Sequence, residues 1–243
     1  MKNTDWLERT ELLLTKEGVE NLNNANVLVV GLGGVGSYAA EFIARSGIGK
    51  MTIIDGDDVD ETNVNRQLIA LSTTIGKPKC ELMAERILQI NPEIELTVIN
   101  EFLNPERMED IVSQDFDYVL DCIDSIRPKV TLIKVCSRQK IKLVSSMGAG
   151  GKVDPTKLEI ANINKTYNCK MARYVRKQLK KDGVNRKFKA VFSSEVQDEK
   201  SLKLTDGSNF KKSFYGTVSY MPALFGCAVA SVAIRYISKG GNK

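Results

Sequence analysis

The sequence predicts an α/β fold: a doubly wound, mostly parallel sheet with a C-terminal extension beyond residue 147. Three observations predict it. Short apolar runs alternate with amphipathic stretches through the first half, the pattern of right-handed βαβ units. A glycine-rich turn follows the first apolar run directly. The remaining polar clusters also follow apolar runs, where ligands bind at the carboxyl ends of strands in such sheets. On this reading residues 1–147 form the core and residues 148–243 the extension, packed on it.

The elements follow in order. Residues 27–30, all apolar, read as a buried parallel strand. A helix over 37–46 follows the glycines, and residues 51–54 form the second strand, ending at Asp55. Residues 77–90 place Cys80, Met83, Ala84, Ile87 and Leu88 at the spacing of an amphipathic helix, which Pro92 stops. Residues 96–99 are a third strand and 105–112 a helix. Residues 118–121 and 143–146 are the fourth and fifth strands, with a helix over 129–139 between them. Residues 216–237 are almost wholly apolar. Their small residues Ala223, Gly226, Ala228 and Ala230 suit close packing, so a core helix is the favoured reading and a membrane contact the alternative.

Composition narrows the chemistry. With 243 residues, 42% hydrophobic and 27% charged, the chain is suited to one large soluble domain. Its five cysteines are scattered, with no C-x-x-C pair, which points to reduced thiols in the cytoplasm. Cys122 and Cys227 read as small buried thiols. The chain has no histidine, which excludes Ser-His-Asp and Cys-His catalysis and any His-ligated metal.

Gly31-Leu32-Gly33-Gly34-Val35-Gly36 fits G-x-G-x-x-G between a strand and a helix, the mark of a Rossmann-like nucleotide site. Gly31, Gly33, Gly34 and Gly36 permit the turn, and the helix N-terminus offers N–H groups to phosphate. Asp55, 24 residues after Gly31, is placed for ribose hydroxyls. That much fits NAD as well as ATP. The polar loop from Asp57 to Gln67 favours ATP, because Asn63, Gln67 and Arg66 supply amides and a guanidinium for phosphate oxygens. Lys79 adds a cation at the next helix. Asp124, after the fourth strand, is the candidate ligand for Mg²⁺ bridging to phosphate, whereas Asp121 reads as a strand-end hydrogen bond.

Together with Gly76-Lys77-Pro78-Lys79 and Asp121-x-x-Asp124, these motifs resemble the adenylation domain of ubiquitin-activating enzymes and of the bacterial molybdopterin and thiamine sulfur-carrier activators. Arg9-Thr10-Glu11-Leu12-Leu13, Ser146-Met147-Gly148-Ala149-Gly150, Asp154-Pro155-Thr156-Lys157 and Phe225-Gly226-Cys227 narrow the resemblance. They are similar to the tRNA threonylcarbamoyladenosine dehydratase family over nearly the whole chain. That resemblance implies adenylation of the threonyl carboxylate of N6-threonylcarbamoyladenosine by ATP and Mg²⁺, then ring closure with loss of AMP. It also implies a homodimer in which Arg9 reaches the neighbouring subunit's triphosphate, with Arg66 and Lys79 stabilising phosphate charge.

Residues 165–189 carry ten basic residues and one acid, a net +9 in a chain of net +5, with Tyr167, Tyr174 and Phe188 interspersed. Given the resemblance, this segment is expected to contact tRNA, with Arg173, Arg176, Lys177, Lys180 and Lys181 as the candidates. The nearest rival is an adenylyltransferase acting on a sulfur-carrier protein, against which the missing zinc cysteines and the basic segment argue. A nucleotide-regulated binding module and a dehydrogenase are weaker rivals. The sequence leaves open a sulfur-transfer or redox protein partner.

Overall fold

A computed structural model describes residues 5–112, 115–185, 187–204 and 213–241. The chain begins with α1 (Glu8–Asn24), which changes direction at Thr15, a non-glycine residue at φ 67°. Then come β1 (Asn26–Val30), α2 (Gly36–Arg45), β2 (Lys50–Ile54), α3 (Lys79–Ile90) and β3 (Glu95–Ile99). Next are α4 (Pro105–Val112), β4 (Tyr118–Asp121), α5 (Ile126–Arg138) and β5 (Leu143–Ser146). Residues after 147 supply β6 (Leu158–Asn162), α6 (Lys170–Lys181), β7 (Lys189–Ser193), a short hairpin of β8 (Leu202–Leu204) and β9 (Ser213–Tyr215), and α7 (Tyr220–Ile237).

The large sheet has seven strands in the order β3-β2-β1-β4-β5-β7-β6. All its pairs are parallel except β6 with β7. β1 shows why two layers of helices are needed. Its side chains alternate, so Val27 and Val29 join one apolar cluster and Leu28 and Val30 the other. The first cluster packs residues of α2, α3 and α7 on one face of the sheet. The second packs residues of α4, α5 and α6 on the opposite face.

All five expected strands form. Of the helix starts that differ from the sequence reading, two are set by prolines. α3 begins at Lys79 because Pro78 occupies the N-cap with extended backbone, which proline favours there over the helix interior. α5 begins three residues early, at Ile126, with Pro128 in the first turn, where its missing N–H is not needed. The sheet itself crosses the boundary read at residue 147. β7 pairs with β5 and β6 covers the edge, so the extension completes the sheet.

The apolar stretch 216–237 becomes α7, the one helix among the described residues long and apolar enough to span a membrane. Half of it is buried here, including Met221, Phe225, Val229 and Ala233. Gly226 lets it lie against α2: a Cβ there would sit 2.4 Å from the Val35 carbonyl oxygen. One thiol reading is corrected by this packing. Cys122 is buried, but Cys227 lies on the outward side of α7 and is exposed.

Candidate active site

The site assembles at the carboxyl ends of β1, β2 and β4. Gly31 leaves β1 at φ +88°, where a Cβ would meet the Cys122 carbonyl oxygen at 3.0 Å. Gly36 opens α2, and a Cβ there would lie 1.7 Å from the Gly31 carbonyl oxygen. Gly36→Ala is therefore expected to lower stability by about 2 kcal/mol or more and to abolish nucleotide binding. Thermal denaturation with and without ATP checks this; an unshifted melting curve that still responds to ATP would contradict it. Above Gly33 the space is open, with only the Gln67 amide nitrogen within reach of an added Cβ, at 3.8 Å. The α2 N-terminus faces that space, an arrangement that suits a phosphate.

Asp55 ends β2, and both its oxygens are engaged. Oδ2 accepts from the Leu32 N–H at 2.5 Å and Oδ1 from the Asp57 N–H at 2.8 Å. The carboxylate thus pins the glycine turn and keeps its remaining lone pairs for a ribose. Burial raises its pKa, opposed by the Lys79 charge and the two N–H donors. Lys79 is buried and its Nζ lies 2.9 Å from Asp57 Oδ2. This pairing places the two predicted residues together and leaves ammonium protons of Lys79 for a ligand.

The loop after Asp57 divides into structural and free groups. Asn63 closes a capping box with Asp60, accepting the Asp60 N–H at 3.3 Å. Gln67 is buried, and its Oε1 is one of two buried side-chain atoms without a hydrogen-bond partner among the described residues. The orphaned oxygen calls for a donor such as a ligand hydroxyl or water, while the Gln67 Nε2, which faces the open glycine turn, is the atom able to donate to a phosphate. Arg66 is half-buried and donates to the Thr62 carbonyl at 2.7 Å and to Asn65 Oδ1 at 2.9 Å. Burial lowers its pKa, opposed by the negative charges of Asp124 and Asp60.

The two aspartates after β4 part company. Asp124 is exposed, with Ser125 Oγ donating to it at 3.2 Å. Asp121 is fully buried, where its Oδ2 lies 2.7 Å from Lys129 Nζ and accepts from Ser145 Oγ at 2.5 Å. Among the described residues no three His, Cys, Asp or Glu side chains cluster to hold a metal. A divalent cation at Asp124 would therefore draw its other ligands from phosphate oxygens and water, as Mg²⁺ does.

Cys80 and Cys122, the cysteines beside the site, are poor nucleophiles. Burial pushes the Cys80 thiol up to about 12, and its Sγ donates to the carbonyls of Asp55 and Ile99. Burial raises Cys122 as well.

Arg9 is exposed on α1 and is not brought to this chain's glycine turn. Leu7 packs under Gly47, just ahead of β2, and Gly18 lies against Ser238 at the end of α7. Both contacts are at the opposite end of the sheet from the site.

The extension adds a wall that sequence reading did not name. Asn65 Nδ2 donates to the Thr217 carbonyl at 3.0 Å, and a Cβ on Gly34 would touch Pro222 of α7 at 2.9 Å. A cavity of about 320 Å³ opens behind Thr217, lined by Gly151, Lys152, Glu195, Asp198 and Ser201 among others. Lys152 is buried, donates to the Ser193 carbonyl at 2.8 Å, and has its pKa lowered by burial. The signal that could have found it is a lysine directly after Gly150-Gly151, just past β5.

On the extension, α6 buries Ala172, Val175 and Leu179 and exposes Arg173, Lys177, Lys180 and Lys181. Arg176 turns partly inward and donates to Thr166 Oγ1. Tyr174 and Tyr167 are exposed, but Phe188 is buried, which removes it as a stacking residue. Arg186 lies outside the described residues.

A glycine turn at the mouth of a doubly wound sheet, with Lys79 and Arg66 beside it, defines a nucleotide-binding α/β protein. The sequence profile of the ThiF family matches residues 7–243, and the chain belongs to that family. Within it, the chain belongs with the tRNA threonylcarbamoyladenosine dehydratases. The Bacillus subtilis protein of that name is 48% identical over 187 residues, covering 77% of this chain and 74% of that one. The Escherichia coli tRNA N6-threonylcarbamoyladenosine dehydratase, solved in complex with ATP, superposes with a TM-score of 0.88 at 39% identity, covering 98% of this chain and 95% of that one. The E. coli sulfur carrier protein ThiS adenylyltransferase matches less extensively, at 31% identity over 159 residues and 63% of each chain.

Proposed function

We propose that this chain is an ATP-dependent dehydratase that cyclises N6-threonylcarbamoyladenosine in tRNA. The observation that carries it is the convergence at one sheet end of the open glycine turn, the Lys79 ammonium paired with Asp57, and Arg66 packed against Gly34. The glycine turn binds phosphate through backbone N–H groups, and the two cations neutralise it.

The residues then divide the work. The glycine turn and α2 seat phosphates, Asp55 orients the ribose, and Gln67 and Lys79 hold phosphate oxygens. Arg66 meets the negative charge that builds on the α-phosphate as the threonyl carboxylate oxygen bonds to it and pyrophosphate departs. Asp124 is the residue that would hold Mg²⁺, which when bound supplies Lewis-acid shielding of the phosphates. The carbamoyl oxygen then bonds to the activated carbonyl carbon, AMP leaves with the former carboxylate oxygen, and a nitrogen-bound proton is released. The net change in the nucleoside is the loss of one water. Ring closure is intramolecular, so it needs neither a histidine nor a cysteine nucleophile.

The test is mass spectrometry of nucleosides from threonylcarbamoyl-modified tRNA after incubation with protein, ATP and Mg²⁺. ATP-dependent loss of one water is expected. No change, with pyrophosphate exchange appearing only when a ubiquitin-like carrier protein is added, would transfer the assignment to the sulfur-carrier reading.

The same proposal includes a homodimer in the cytoplasm. Leu12 and Leu13 are 82% and 83% exposed side by side on α1, an apolar pair that a second subunit would cover. Arg9, on the same helix and remote from its own chain's site, would then serve the neighbour's triphosphate. Changing Leu12 and Leu13 together to Asp is expected to give monomers by light scattering and at least a tenfold loss of ATP–pyrophosphate exchange. A dimer that keeps full exchange would take α1 out of the interface. Five free cysteines fit a reducing compartment.

A further inference from the structure

At the end of the sheet opposite the active site, an open pocket of about 600 Å³ is lined by Ser137, Lys140, Lys142, Asn185 and Lys187. Its construction follows from the fold. α5 ends at Arg138, and the chain reverses through Lys140 at φ 59°, which delivers Lys142 just ahead of β5. Lys187 stands just ahead of β7. Val144 of β5 is in register with Lys189 of β7, so Lys142 and Lys187 precede neighbouring parallel strands, and both line the pocket. Adjacent strands are about 5 Å apart, which brings these like charges close together.

None of the three lysines makes an ion pair among the described residues. Lys142 instead rests its ammonium over the Tyr236 ring at 5.7 Å. A lysine at the end of α5 is accounted for by the negative end of the helix. Two more ahead of neighbouring strands are not, because like charges gathered around one pocket repel each other. Such a cluster is favourable when a polyanion occupies it. The pocket is also continuous with the tRNA candidates: α6 ends at Lys181, and the chain passes from Lys180 and Lys181 through Asn185 to Lys187.

We infer that this pocket is a second RNA site. It takes backbone phosphates of the tRNA remote from the modified nucleoside, which sits at the opposite end of the sheet. The inference rests on the tRNA reading above. It makes the RNA footprint extend along α6, about 18 Å long by helix rise, and onto the underside of the sheet. Phosphates bound there would fix the orientation of the tRNA without reading its sequence.

The test uses the full chain with an unmodified tRNA transcript. Binding is measured by fluorescence anisotropy over a KCl series, for wild type, for Lys140→Gln/Lys142→Gln/Lys187→Gln, and for the corresponding triple arginine variant. For the glutamine variant the slope of log affinity against log salt is expected to flatten by about 2 to 3, with ATP affinity unchanged. The arginine variant is expected to keep the wild-type slope. A glutamine variant with the wild-type slope and intact ATP binding overturns the inference while leaving the dehydratase reading in place. Binding of tripolyphosphate lost in the glutamine variant, with the tRNA slope unchanged, would make it a small-anion site and overturn it too. Failure of the wild-type protein to bind tRNA at all would instead remove the functional reading on which the inference rests.

Discussion

Asp124→Ala is expected to leave a folded protein that has lost dehydratase turnover by about a hundredfold or more, the scale of removing one preorganised electrostatic group. The stability half of this expectation follows from exposure. Asp124 is exposed, and the neighbouring Ser125 hydroxyl donates to it at 3.2 Å. The activity half follows from what it faces. Its charge acts on Arg66, a half-buried guanidinium already destabilised by burial. Removing it deprives the phosphates of their candidate Mg²⁺ ligand and lets Arg66 relax. Turnover by nucleoside mass spectrometry, with circular dichroism on the same sample, checks both halves. Normal turnover would strike Asp124 from the site, and raised Mg²⁺ restoring partial turnover would support its role as a metal ligand.

Lys129→Met is expected to do the opposite: about 3–5 kcal/mol of lost stability, because it leaves the Asp121 carboxylate buried without its cation. Lys129 and Asp121 are both completely buried, 2.7 Å apart, with Ser145 bridging them. Replacing both partners with apolar residues, Lys129→Met with Asp121→Leu, is expected to recover much of that loss, since the uncompensated charge is then gone. Urea denaturation of the single and double variants measures the coupling. A single variant within about 1 kcal/mol of wild type would mean that water or a rearranged donor reaches Asp121, at variance with its burial.

Much of the fold was legible because its signals are local. Strands buried on both faces are mostly apolar, so β1, β2 and β4 announce themselves and β5 keeps a shorter apolar start, and G-x-G-x-x-G marks the turn that a helix N-terminus needs. β6 and β7 were less legible. β6 is an antiparallel edge strand, half-exposed along its length, so it lacks the continuous apolar run that identified the others. α1 was missed because its buried residues, Gly18, Val19 and Leu22, are few and its apolar Leu12 and Leu13 face outward.

The sequence by itself determined the class of the site: the glycine turn, the carboxylate after β2, the cations of Arg66 and Lys79, and the absence of histidine. These are statements about which chemical groups follow which strands, and chain order settles them. Tertiary structure alone decided which groups are free to act. It paired Asp121 with Lys129, occupied Asn63 in a capping box, turned Arg176 toward Thr166, and left the Gln67 Oε1 without a hydrogen bond among the described residues. It also carried Thr217 and Pro222 across the whole sheet to wall the glycine turn. Such pairings depend on burial and on contacts between residues far apart in the chain, and the energy of a polar group is set by the partner and dielectric it meets there.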